Sequence, residues 1–474
     1  MDLTACTVTE LAALLQERRA SAREVAEAHL RRIDEVDGPH SFDGSPDAIN
    51  AFIRVYEERA LADARRADER LAAGDAGPLC GVPVGLKDLY AVAGHPLTAS
   101  SRVVDLAPDR DCDMAARLFE EGMVLLGHLH THEFAAGGGT DQTGNPWDLS
   151  RGPGGSSGGS GAALASRTTP AATGTDTAGS LRIPSALCGT STIKPTRGAL
   201  SLRGILPLSQ THDHPGPMAR TLRDCALLLH AMFGPQAGMS GPRPAELERM
   251  PLLATAPPRS LAGTRMALSP RIGLTEIDPD VADGFDAAVD AARRLGATII
   301  EPPPPDTSLD VGEVFLELVA TDMLAWHRPL LEQHRDRYRQ SIRDLLEFAE
   351  RRAMTAVEYA DAQWQRLEST AAWQDWLRDE RIDAVLEPTV PIVAPPRGHG
   401  YDAFFTDEGI AYIALTYTWD WTGFPVAALP SGVGRRSGLP VGVSLVGAPG
   451  TEVALLEWGI ALQEELGVPA PPGV

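Results

Sequence analysis

The sequence predicts a layered α/β fold. Helical and strand patterns alternate along most of the chain, as a sheet covered by helices requires. Hydrophobic residues make up 43% and charged residues 22%, the balance of an ordinary globular protein. Its 474 residues suffice to bury a large core.

Thr7-Val-Thr-Glu10 and Ser21-Ala-Arg-Glu24 each place a glutamate three residues after a hydroxyl. In that arrangement the hydroxyl and the carboxylate satisfy each other's free backbone N–H groups, so each opens a helix, here over 8–18 and 22–36. A short strand near Ala51–Val55 leads into a charged, alanine-rich helix over 57–73. Strand character returns at 82–87 and, after a helix over 113–121, at Met123–Leu129.

Residues 151–185 interrupt the alternation with glycine, serine and threonine. Composition alone would make this stretch a flexible linker. It carries singular residues, however: Asn145, Trp147 and Asp148 precede it, and Arg151, Asp176 and Arg182 lie within it. Apolar α/β sequence also bounds it on both sides. A buried, tightly turned loop system is the better reading, with a small-residue helix over Gly158–Ala165. Glycine there permits close backbone approach.

Pro- and Gly-rich sequence marks surface connections at 234–262 and Pro302–Pro305. Residues 311–379 are strongly helical, with a third hydroxyl–glutamate cap at Thr355-Ala-Val-Glu358. Six of the eight tryptophans fall between Trp326 and Trp421. Most are expected in packing, and some at an apolar entrance to a site. Strands near Ala384–Leu386, Pro425–Leu429 and Val441–Val446 and a helix over 452–466 follow.

Several function classes are disfavoured. A formal charge of −22 repels nucleic acid and anionic membrane. Glu17, Arg18 and Arg19 interrupt any early apolar run of the signal-peptide type, and no stretch approaches a membrane span. Cys6, Cys80, Cys112, Cys188 and Cys225 show neither close pairing nor metal-ligand spacing, which suits reduced thiols in a cytoplasmic protein.

Of the 42 basic residues only Lys87 and Lys194 are lysines. Arginine cannot give up its proton in a protein, whereas a desolvated lysine can. Lys87 closes the apolar run Gly81-Val-Pro-Val-Gly-Leu-Lys87 ahead of a polar turn, so partial burial and a lowered pKa are expected.

Gly155-Ser-Ser157-Gly-Gly159 matches the G-x-S-x-G nucleophile elbow in letters only. The elbow needs an apolar strand before the serine, and Asp148-Leu-Ser-Arg-Gly-Pro153-Gly is not one. The Lys-Ser/Thr ending of a phosphate loop is also missing. His128, His130 and His132 alternate and would share one face of a strand, but only His128 lies in clear strand sequence and no partner carboxylate or cysteine motif accompanies them. Neither a metal nor a cofactor is expected.

The remaining constellation joins Lys87, Ser156-Ser157 and Thr175-Asp-Thr177-Ala-Gly-Ser180-Leu-Arg182-Ile-Pro184. With Gly144-Asn-Pro-Trp-Asp148, Lys194-Pro-Thr196, Gly216-Pro-Met-Ala-Arg220, Thr422-Gly-Phe-Pro425 and Gly438-Leu-Pro-Val-Gly442, it resembles the amidase signature family over nearly the whole chain. The 24-residue separation of Ser156 from Ser180 fits as well. The resemblance implies one large α/β/α domain over 1–474 with a central mixed sheet flanked by helices. The 311–379 segment would contribute to the substrate entrance.

By the same resemblance Ser180 is the nucleophile, Ser156 a bridging serine after a cis Gly155–Ser156 peptide, and Lys87 the base. The N–H groups of Thr177, Ala178, Gly179 and Ser180 would form the oxyanion hole. Ser157, Asp176 and Arg182 would hold the loops by hydrogen bonds. Ala178 stands where the family most often has glycine. Lys194 is expected to be structural.

The activity implied is hydrolysis of a small-molecule amide or carbamate C–N bond through a serine acyl-enzyme, in a possible homodimer. Two rivals stand beside it: the glutaminase component of a tRNA-dependent amidotransferase, and a non-catalytic binding protein on the same fold. Retention of Lys87, Ser156 and Ser180 together argues against the last.

Overall fold

The computed structural model of the protein describes residues 1–233, 244–398 and 411–471. Among them one sheet of 11 strands runs through the molecule. In chain order the strands are β1 (Phe52–Val55), β2 (Pro83–Lys87), β3 (Val124–Leu129), β4 (Ala171–Asp176), β5 (Ser191–Lys194) and β6 (His214–Ala219). They continue as β7 (Arg265–Leu268), β8 (Thr298–Ile300), β9 (Ala384–Pro388), β10 (Val426–Val433) and β11 (Pro440–Val446). Across the sheet the order is β1-β3-β2-β4-β6-β5-β10-β11-β9-β7-β8. The sheet is mixed: β2 is parallel to β3 and β4, whereas β4–β6, β5–β6 and β5–β10 are antiparallel. Helices cover it, with Gly158–Ala165 against β4 and Glu452–Leu466 against β10. A single α/β domain with a mixed central sheet is therefore observed.

The capped helices begin as the sequence dictates. Thr7, Ser21 and Thr355 each accept from the N–H three residues on, and Glu10, Glu24 and Glu358 return the bond. The first helix is Val8–Gln16, shorter than predicted because Glu17 is its C-cap and Arg18 turns to positive φ. The 311–379 segment is three helices, Gly312–His334, Gln340–Arg352 and Ala356–Asp379.

Two corrections concern the stretch read as loops. Its middle is strand β4, buried along its whole length, and its end is the helix Arg182–Cys188. A strand covered on both faces shows no alternation, and Ala171-Ala-Thr-Gly-Thr-Asp176 carries only short side chains, so neither usual strand signal is present. Strand β6 is hidden for another reason: Pro215 and Pro217 lack ladder donors, yet pair opposite Thr175 and Thr173. The surface connection at 234–262 is described only from residue 244 onward.

The tryptophan-rich region divides. Trp373, Trp376 and Trp419 pack edge to face around Trp373, with Phe424 stacked on Trp419, as a second core cluster. Trp364 stays 63% exposed.

Candidate active site

Strands β2 and β4 lie side by side and run the same way, so their C-terminal ends bring Lys87 and Thr175 together. Lys87 is fully buried. Its Nζ lies 2.8 Å from Ser156 Oγ, 2.8 Å from Ser157 Oγ and 2.9 Å from Thr175 Oγ1. Burial is the largest influence on this amine and lowers its pKa to about 7, against the opposing pull of Asp176 and Asp213.

The three hydroxyls are not equivalent. Ser157 donates its own proton to the Thr175 carbonyl at 3.3 Å and accepts from the Thr175 N–H at 3.3 Å. A neutral amine has one lone pair to offer, and Ser157's proton is already committed, which leaves Ser156 better placed to donate to Nζ.

Ser156 follows a cis peptide bond from Gly155. The backbone there is pressed against Gly138 and Gly139: a Cβ on Gly155 would lie 1.9 Å from the Gly139 oxygen, so no other residue fits. The Ser156 carbonyl accepts from the His132 N–H at 2.9 Å, and the Ser157 N–H donates to the Ser180 carbonyl at 3.3 Å. The second contact ties the serine pair to the loop that carries Ser180.

That loop, Thr177–Leu181, joins β4 to the helix Arg182–Cys188. Its anchor is Asp176, which accepts from the Gly179 N–H at 2.5 Å, the Leu181 N–H at 3.2 Å and the Arg182 guanidinium at 2.9 and 3.1 Å. Burial alone would raise the Asp176 pKa, but the Arg182 charge and these donors hold it below the usual value. Arg182 also reaches Asp420 at 2.5 Å and the Thr416 carbonyl at 3.0 Å. Thr416 Oγ1 in turn donates to the Ala178 carbonyl.

Gly179 has φ +125°, and a Cβ there would meet Thr416 Oγ1 at 2.6 Å. Ala178 has no positive φ, so alanine is unstrained where the family most often has glycine. Ser180 is 7% exposed and Ala178 9%, whereas Lys87, Ser156 and Ser157 are closed off, so solvent reaches the loop side alone.

The structure thus gathers Lys87, Ser156, Ser157, Thr175, Asp176 and Arg182, with the Thr177–Ser180 backbone beside them. Within the expected oxyanion set, the Gly179 N–H is directed at Asp176.

His128, His130 and His132 do not converge on a common ligand. His128 bonds the Tyr56 hydroxyl and the Tyr90 carbonyl, and His130 bonds Asn50 and Ser100. Among the described residues no group of three His, Cys, Asp or Glu could hold a metal ion, and no helix is long and apolar enough to cross a membrane.

Sequence reasoning did not single out Asp213, Thr416 and Asp420. Asp213 accepts from Thr177 Oγ1 at 2.5 Å, and burial raises its pKa to about 6. Asp213 lies two residues before Pro215, opposite Thr175 in the sheet, so an antiparallel β4–β6 pair would have implied its position. Thr416 and Asp420 arrive from over 230 residues away in the chain, and no local pattern announces them.

Comparison with known proteins covers nearly all of this architecture. The Amidase family model matches residues 24–456. A glutamyl-tRNA(Gln) amidotransferase subunit from Thioalkalivibrio sulfidiphilus is 35% identical over 96% of both chains. An amidase from Pseudomonas putida is 36% identical over 98% of this chain and 96% of its own. Among solved structures, 6-aminohexanoate cyclic dimer hydrolase superposes with a TM-score of 0.86 at 27% identity, covering 100% of this chain and 99% of that one. On this evidence the chain belongs to the amidase signature family of C–N amidohydrolases.

Proposed function

We propose that the protein hydrolyses an amide or carbamate C–N bond of a small molecule through an acyl-enzyme on Ser180. The observation that carries this reading is the fully buried Lys87 amine, near-neutral in pKa and bonded to Ser156 at 2.8 Å. Ser180 Oγ attacks the carbonyl carbon while its proton passes to Ser156, whose own proton passes to Lys87 Nζ. The oxyanion is met by the N–H groups of Thr177, Ala178 and Ser180. Each such donor is worth about 2.7–4 kcal/mol in the transition state. The proton held on Lys87 returns through Ser156 to the leaving amine nitrogen, and water then cleaves the acyl ester by the same relay.

We further propose that the 311–379 segment contributes to the substrate entrance; within and beside it Trp326, His327 and Tyr338 pack around Phe134. Labelling with a fluorophosphonate followed by peptide mass spectrometry tests the nucleophile. The adduct is expected on Ser180 and absent from Ser180→Ala; an adduct on Ser157 would overturn the assignment.

The full-length similarity to a glutamyl-tRNA(Gln) amidotransferase component favours one second reading, a glutaminase that works with partner proteins. Turnover of a simple aryl amide by the isolated chain supports the hydrolase. Glutamine hydrolysis that appears only with co-purifying partners supports the other.

A further inference from the structure

Asp213 closes the Ser209–Asp213 turn that leads into β6, and β6 runs antiparallel beside β4 with His214 opposite Asp176. The register sets Asp213 alongside Thr177, the first residue of the loop that carries Ser180. Asp213 is 6% exposed, and its carboxylate accepts three hydrogen bonds. Two come from the start of the turn and the residue before it, the Ser209 N–H at 3.1 Å and the Leu208 N–H at 3.0 Å. The third comes from Thr177 Oγ1 at 2.5 Å and is the one that leaves this segment.

A turn-closing carboxylate needs only the first two bonds, and an exposed aspartate would serve. Here a charge is buried, at a cost in solvation, where it reaches the oxyanion loop through Thr177 while Thr416 holds the same loop at Ala178. It also acts on the amine that the proposed mechanism uses: Asp213 and Lys87 influence each other electrostatically, and Asp176 is the other acid acting on Lys87.

We infer that Asp213 is a positioning residue for the reaction, holding Thr177 so that the loop N–H groups face the developing oxyanion and supplying part of the negative field that keeps the Lys87 ammonium accessible. The inference rests on the Lys87–Ser156–Ser180 reading. It gives Asp213 two separable actions, one through Thr177 and one through charge. Asp213→Asn removes both the charge and one acceptor. Thr177→Val removes the hydroxyl alone and leaves the charge.

The test is a pH profile of kcat and KM for wild type, Asp213→Asn and Thr177→Val on an aryl amide, with circular dichroism melts to verify folding. Thr177→Val is expected to lower kcat about tenfold or more at nearly constant KM, a loosened oxyanion donor being worth that much. Its acidic limb should stay in place.

Asp213→Asn should lower kcat at least as far and move the acidic limb to lower pH by about half a unit or more, since removing a nearby negative charge favours the neutral amine. Both variants within twofold of wild-type kcat, with unmoved limbs, would reduce Asp213 to a turn closure and overturn the inference. If Asp213→Asn does not fold, Thr177→Val decides alone: a kcat loss at constant KM supports the inference and its absence refutes it. Lys87→Arg, run in parallel, separates the two levels. Activity retained there defeats the base assignment, whatever Asp213 does.

Discussion

Lys87 and Lys194 are alike in every bulk respect and unlike in their partners. Both are fully buried at the end of a strand, and burial lowers both to about 7. Lys87 faces three hydroxyls, and one of them, Ser157, is tied to the loop that carries Ser180. Lys194 donates to the Pro195 carbonyl at 3.3 Å, with Asp420, Arg182 and Asp176 among its electrostatic surroundings. Desolvation lowers both amines alike, so on the proposed mechanism it is the neighbours of Lys87 that would make it the base. A base also needs a neighbour that can hand it a proton, and a carbonyl cannot.

The comparison breaks most sharply at Lys87 itself. Lys87→Arg and Lys87→Ala are both expected to lower kcat/KM by about 100-fold or more, because arginine restores charge and reach without accepting a proton. Retention of over about a tenth of the activity in Lys87→Arg (a loss below about 1.4 kcal/mol) would mean that the cation is what matters. In wild type kcat/KM should rise with pH through an acidic limb near 7, and that limb belongs to the amine and its serines as a coupled set.

A smaller effect is expected at Ser157, which contacts Lys87 as closely as Ser156 but has its proton on the Thr175 carbonyl. Ser157→Ala should cost about 10-fold in kcat/KM, against about 100-fold for Ser156→Ala. Equal losses would show that both serines relay.

The smallest effect on turnover is expected at Lys194. Lys194→Met should keep kcat within about tenfold of wild type, since no hydroxyl relay ends on it. Its signature is in stability. The folded pKa of about 7 lies below the ordinary 10.5, so between those values the unfolded chain binds a proton that the folded chain does not. Stability contributed by this site accordingly rises as pH increases through that window and is lowest below it. Denaturant midpoints for wild type should increase from pH 7 towards 10 more steeply than those of Lys194→Met; parallel curves would show that Lys194 is not buried as a neutral amine.

How much of this was legible in the sequence follows from where each residue's partners lie. The hydroxyl–glutamate caps at Thr7, Ser21 and Thr355 are complete within four residues, and all three form. Lys87, Ser156 and Ser180 stand out in the sequence because rarity and a long motif mark them. Strand β4 was missed because its small side chains are chosen for close approach, not for a face. Asp213, Thr416 and Asp420 act across the fold with no local signal, and only the register of β4 on β6 and the return of the chain to β10 supply their positions.

The clasp on the nucleophile loop has a consequence for synthesis. Lys87, both serines and Ser180 are all present once the first 180 residues have left the ribosome, but Thr416 and Asp420, which hold the loop through Ala178 and Arg182, come last. A growing chain therefore owns its reactive groups long before it owns the fastening that aligns them. On the proposed mechanism, alignment of Ser180 awaits the segment that carries Thr416 and Asp420.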